Sequence, residues 1–149
     1  MTSNRIQTGL TLLRAAVGAI FIAHGAQKLF VFGLDGVAGA FGQMGVPFAE
    51  VTGPLVALLE FFGGIALVLG LLTRLAAVGL AINMVGAIVL VHAPNGFFLP
   101  NGIEFALLLG SASLALAIMG AGELSVDAWL THRRHQVLRT APAGRTLHA

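Results

Sequence analysis

Apolar residues in this chain come in long runs instead of alternating with polar ones. Four runs stand out, about 10-32, 54-72, 75-92 and 103-120. Each approaches the ~20 residues an α-helix needs to cross the hydrocarbon core of a bilayer, so four spanning helices are expected. Only Thr73 and Arg74 separate the second run from the third, which predicts a tight turn between antiparallel neighbours. The third break, "APNGFFLPN", carries Pro and Asn-Gly signals that stop a helix, and its Phe97 and Phe98 suit the membrane interface. The first connection, Gly33 to Gly53, has a pattern of its own: Asp35 as a candidate N-cap, then Val37, Ala38, Phe41 and Met44 at helical spacing, then Gly45 and Pro47. It predicts a short amphipathic helix lying on the membrane surface. After the fourth run, Ser125 can cap another short helix, with Val126, Trp129 and Leu130 on one face and Arg133, Arg134 and Arg139 beyond. The stretch from Thr140 onward is polar and expected to be disordered. The chain thus divides into a bundle, 1-120, and a basic interfacial helix with a cytoplasmic tail, 121-149.

Composition turns these runs into a fold class. With 57% hydrophobic and 9% charged residues and a mean hydropathy of +0.93, the chain is an all-α integral membrane protein, an antiparallel bundle of four transmembrane helices. Arg14, the apolar stretch Ala15 to Ala23 and "HGA" have the outline of a signal peptide, but the later spans favour a retained first helix. Arg5, Arg74 and the tail arginines fall on one side of four crossings, and the opposite loops hold no Lys or Arg, so both termini are expected in the cytoplasm. The net charge of +2 rests on the basic tail and suits anionic lipid headgroups; no motif accompanies it that would suggest nucleic acid. With no cysteine, disulfides, thiolate nucleophiles, Cys-held clusters and covalently attached haem are excluded. No GxGxxG, P-loop or HExxH pattern is present, and Gly18, Gly25, Gly63 and Gly64 read as points of close helix packing.

Against this background the ionisable residues inside the runs matter. On a helical wheel with Arg14 at zero, His24 falls near ~−80° and Lys28 near ~−40°, so all three share one face. That face should point into the bundle, since a charge at the bilayer centre costs roughly 2.5 to 3.5 kcal/mol. At ~1.5 Å per residue, His24 and Glu60 lie about 20 Å from the cytoplasmic edge, and Lys28, His92 and Glu104 about 25 Å. The expected site is a polar cluster of His24, Lys28, Glu60 and Glu104, with His92 at its mouth. Arg14 and Asn83 fall in the inner half, about 6 and 12 Å deep, as secondary polar positions. Blander roles compete: Lys28 can snorkel to the headgroups, Glu104 can sit at a helix start, His92 can end a span, and Asn83 can make an interhelical hydrogen bond. Ion pairs are seldom a cheaper way than leucine to hold a bundle together, which favours function for the deeper Glu60 and His24. No metal site is expected, no residue is assigned as catalytic, and a bis-histidine haem on His24 and His92 lacks a recognisable haem context.

The segments "LLRAAVGAIFIAHGAQKLF", "FGQMGVP", "LLEFFGGIALVLGLLTRLAA" and "GIEFALLLG", followed by "GAGELSVD", resemble the DoxX family of small four-helix bacterial membrane proteins. The matching features in order are Arg14, the HGxxK of His24, Gly25 and Lys28, Glu60 with Gly63 and Gly64, Thr73-Arg74, Gly102 with Glu104, and Ser125 with Asp127. The resemblance implies a multi-pass protein of the bacterial inner membrane, with relatives tied to quinone or thiol redox systems. Two functions follow as expectations. One is a component of a quinone-linked oxidoreductase complex, in which His24 or Lys28 donates a hydrogen bond to a quinone carbonyl and Glu60 or Glu104 passes protons. The other is a non-catalytic accessory subunit that packs on a larger membrane complex or forms a homo-oligomer.

Overall fold

The computed structural model describes residues 2–140, and these are helical with short connections. Helix α1, Thr2–Ala26, continues without a break into a π-helical stretch, Gln27–Phe32, and then into α2, Gly33–Gln43. Helix α3 spans Ala49–Leu69 and α4 spans Thr73–Ala87. A second π-helical stretch, Ile88–His92, and a 3-10 turn, Ala93–Asn95, extend α4. Helices α5, Glu104–Met119, and α6, Val126–Thr140, complete the described chain. The expected tail beyond Thr140 lies outside the described residues.

Small residues set the spacing of the bundle. Along the seam of α1 and α3, a Cβ added to Gly18 would sit 2.7 Å from the Gly64 carbonyl oxygen, and one added to Gly64 would sit 2.7 Å from that of Gly18. Backbone-to-backbone approach of this kind is how apolar helices associate in lipid, where there is no hydrophobic force to drive them together. Gly63 receives the Leu80 side chain from α4, and Gly110 of α5 faces Met84. With α1 on α3, α3 on α4, α4 on α5 and contacts from α5 back to α1, the helices close around Val17, Phe21, Leu67, Leu80, Leu109 and Leu116.

Three segments are long and apolar enough to cross a membrane: Asn4–Gln43, Ala49–Leu69 and Thr73–Asn95. The fourth, α5, has 16 residues, a rise of about 24 Å. Arg14, Gly70, Arg74, Gly120 and Asp127 meet at one end of the bundle, and the connections at the other end carry no Lys or Arg. Positive-inside bias makes the first end cytoplasmic.

The first connection departs in part from expectation. The short helix expected here, α2, is present, and it joins the π-helical stretch directly at Gly33, whose φ of +70° and ψ of 163° only glycine adopts readily. The chain turns there and α2 packs on α3: Val37 is 2% exposed, and a Cβ on Gly53 would lie 3.2 Å from the Ala38 Cα. Val37 of the predicted apolar face is covered by protein, whereas Met44 at its end remains 51% exposed. Asp35 lies in the first turn of α2 and makes no capping bond. The expectation for Ser125 holds, since its hydroxyl accepts from the Ala128 N–H at 3.1 Å and so caps α6.

Candidate functional site

The outer half of the bundle contains a cavity of about 390 Å³. Its walls are mainly apolar, formed by residues such as Phe21, Val56, Met84, Phe105 and Leu109, and polar groups enter at a few points: His24, Lys28, Thr52, Glu60, Asn83 and His92. Phe41, Met44 and Val46, from α2 and the turn after it, close part of the outer side.

Glu60 is the most constrained of these groups. It sits on the buried face of α3, 4% exposed, and both carboxylate oxygens are engaged. Lys28 Nζ from the first π-helical stretch pairs with Oε2, and the Asn83 side-chain amide of α4 donates to Oε1 at 3.1 Å. A buried carboxylate is tolerated when its charge is countered and its lone pairs are bonded, and here the π-helical stretch after α1 and helix α4 each supply one of the two requirements. The Lys28 side chain remains 19% exposed, so its other N–H bonds can still reach a guest.

Both histidines line the same cavity. The His24 ring lies against Phe105 with centroids 5.7 Å apart and planes at 44°. His92 Nδ1 lies 2.8 Å from the Asn101 carbonyl oxygen. The two π-helical stretches carry Lys28 and His92, one each. π-Helical turns are uncommon and recur at functional sites, because the extra residue re-aims side chains that a regular helix would direct elsewhere.

Of the expected cluster, His24, Lys28, Glu60 and His92 line one cavity, whereas Glu104 does not join them. Its carboxylate accepts the Leu99 N–H at 2.7 Å and so closes the loop in front of α5. Counting residues placed Glu104 at the right depth but could not register that this loop folds back over the helix start. Asn83 moves the other way, from the periphery to the centre. Measured from the actual helix ends, Leu69 and Thr73, Glu60 and Asn83 lie about 14 and 15 Å deep and so at one level.

Arg14 belongs to a separate arrangement at the cytoplasmic end. It is 2% exposed, and its guanidinium donates to the Ala121 carbonyl and, at 2.7 Å, to that of Leu124. Asp127, which the sequence marked only through resemblance, accepts the N–H groups of Leu72 at 2.8 Å and Thr73 at 3.0 Å. A carboxylate on the first N–H groups of α4 satisfies donors that the helix itself cannot and favours the positive end of its dipole. These contacts tie α1, α4 and the start of α6 together and make Arg14 and Asp127 structural. Among the described residues, no group of three His, Cys, Asp or Glu side chains is placed to hold a metal ion.

The DoxX family model matches residues 9–93. The chain is 33% identical to "Putative oxidoreductase CatD" of Bacillus subtilis, over 83% of this chain and 88% of that protein. It is 36% identical to "Uncharacterized membrane protein Rv3486" of Mycobacterium tuberculosis, over 81% and 80% of the two chains. It is 32% identical to "Inner membrane protein YphA" of Escherichia coli, over 79% and 87%. No solved structure matches the chain.

Proposed function

Since this chain belongs to the DoxX family and is a multi-pass protein of the bacterial inner membrane, we propose that it serves a membrane redox assembly by holding a quinone headgroup in its outer-half cavity. One observation carries the proposal: a buried carboxylate, Glu60, held by Lys28 and Asn83 at the wall of an otherwise apolar cavity that also receives His24 and His92. The cavity's 390 Å³ falls in the ~300–1,000 Å³ range of small-molecule sites, which are mostly apolar with a few placed polar groups. A flat ring with oxygens at opposite ends suits such walls, with Phe105 and Phe21 available for packing. The name of the Bacillus subtilis relative, an oxidoreductase, supports the redox class.

When bound, a quinone would supply a two-electron, two-proton couple. The chain's own residues would bind and orient the headgroup. Lys28 Nζ, a donor with N–H bonds beyond the one given to Glu60, faces an oxygen that gains negative charge on reduction and stabilises it. Glu60 holds that ammonium in place, and His24, which makes no hydrogen bond to the described residues, presents its ring nitrogens to the headgroup at the cavity wall. With no cysteine to hold an iron–sulfur cluster or carry a redox disulfide, electron delivery is assigned to a partner protein.

The test is purification from native membranes in mild detergent, followed by mass spectrometry of every co-purifying molecule, for the wild type and for Glu60→Gln. Quinone retained by the wild type and reduced at least tenfold in the variant, at unchanged helix content, is the expected result. Large complex subunits retained by both without quinone would replace the proposal with the accessory-subunit role.

A further inference from the structure

The protein fixes the hydrogen-bonding role of one cavity imidazole and leaves the other open. His92 Nδ1 lies 2.8 Å from a main-chain carbonyl, that of Asn101. A carbonyl oxygen can only accept, so Nδ1 must carry the proton. A neutral imidazole has a single N–H, and Nε2 is therefore left as a lone-pair acceptor. The carbonyl that enforces this tautomer is itself firmly held. Its loop is closed by the Gly102 N–H on Phe98 O at 2.9 Å, Ile103 N–H on Gly96 O at 3.0 Å and Glu104 N–H on Phe97 O at 3.0 Å, with the Glu104 carboxylate on the Leu99 N–H. Glu104, which takes no part in the cavity, thus acts on it through His92.

The other polar groups have different capacities. Lys28 is donor only, and Asn83 gives one of its two side-chain N–H groups to Glu60. His24 makes no hydrogen bond to the described residues and can adopt either tautomer. The cavity therefore offers donors at the Lys28 side and, with His92 neutral, an acceptor at its Nε2.

Resting on the quinone reading above, we propose that the cavity selects the reduced, hydroxyl-bearing form of its ligand, with His92 Nε2 accepting a hydrogen bond from a hydroquinone hydroxyl. A quinone carbonyl at the same place sets lone pair against lone pair and cannot make this hydrogen bond, so the oxidised form forgoes a contact that the reduced form gains. The Lys28 side does not discriminate, because its N–H bonds serve a carbonyl and a hydroxyl oxygen alike. Selectivity therefore resides at His92. If the reduced form binds tenfold more tightly, the potential of the bound two-electron couple rises by about 30 mV relative to the free one.

The experiment uses the full-length protein in detergent under anaerobic conditions. Isothermal titration compares a short-tailed quinone, its hydroquinone and the hydroquinone dimethyl ether, in a benzoquinone and a naphthoquinone series. The dimethyl ether keeps the ring and both oxygens but has no proton to donate. We expect the hydroquinone to bind at least tenfold more tightly than either of the other two. In His92→Phe the three affinities should come within about threefold, through weaker hydroquinone binding and not tighter quinone binding. If no probe binds in either series, the quinone reading fails and this inference with it. If quinone binds and the hydroquinone is no tighter, or the dimethyl ether matches the hydroquinone, this inference alone fails. The ether comparison is made on the unaltered protein, so it stands even if His92→Phe does not fold.

Discussion

Gly25 lies between His24 of α1 and Lys28 of the π-helical stretch that follows, both of which line the cavity, and replacing it with alanine should move both. A Cβ at Gly25 would meet the Phe61 amide nitrogen and, at 2.7 Å, the Phe61 Cα. These are backbone atoms of α3 that cannot rotate aside. The nitrogen is the nearer of the two, so bringing both out to the 3.4 Å at which ordinary van der Waals contact begins parts the helices by more than ~0.7 Å at this crossing. Overpacking of this kind costs about 1–3 kcal/mol. Against it stands the ~1 kcal/mol that alanine gains over glycine in a helix interior. The net expectation for Gly25→Ala is a loss of up to ~2 kcal/mol, together with a weakened Lys28 to Glu60 pair. Gly9→Ala is the control, because its Cβ meets nothing within 4 Å, and it should be neutral or gain up to ~1 kcal/mol from helix propensity. Reversible unfolding of the purified protein in mixed micelles, followed by circular dichroism, gives the stabilities. Ligand retention by the same samples reports the cavity. Equal stability of the two variants would refute the close seam as the element that positions the site.

Two further substitutions probe the polar contacts. Lys28→Met should destabilise by about 1.5–3 kcal/mol, below the ~3–5 of a fully buried pair because the lysine keeps some solvent access, and Lys28→Met with Glu60→Met should be more stable than Lys28→Met alone; the same unfolding assay checks both. Asp127→Ala removes the acceptor for the Leu72 and Thr73 N–H groups, at a cost of ~0.5–2 kcal/mol, and hydrogen exchange should show faster opening at the start of α4 while the Lys28 to Glu60 region stays protected.

Run length and helical spacing were enough to recover the membrane bundle and the shared cavity face of His24 and Lys28, whereas the tight turn expected at Thr73 and Arg74 falls at Gly70 to Leu72 and those two residues open α4. The same signals placed Lys28 and Glu60 in one polar cluster but left open which carboxylate the lysine meets, a choice the fold makes by bringing Lys28 Nζ to Glu60 Oε2. Asn83 and Glu60 were set at different levels because hydropathy ended α3 at Leu72 and began the next run at Leu75, whereas Gly70 and Leu72 stand in the left-handed region, α3 stops at Leu69 and α4 starts at Thr73. Glu104 was misassigned because its partner, the Leu99 N–H, belongs to a loop that no periodicity describes. The roles of Arg14 and Asp127 depend on contacts that bridge separations of 110 and 55 residues, which local pattern does not encode. Asp127 two residues after the cap Ser125 was a signal for something, though only the fold reveals that it serves another helix.

The 16 residues of α5 have a consequence for the lipid around it. A rise of about 24 Å falls short of the ~30 Å hydrocarbon thickness, and the deficit lies beside the exposed Phe97, Phe98 and Leu99. Their backbone is largely satisfied within the loop, so these side chains can complete the hydrophobic height that the helix lacks. Hydrophobic mismatch costs a fraction of a kcal/mol per Å. In a thicker bilayer that cost bears first on this loop, the one that holds the Asn101 carbonyl against His92. Membrane thickness thereby becomes a mechanical load on the rim of the cavity, applied through the shortest wall of the bundle.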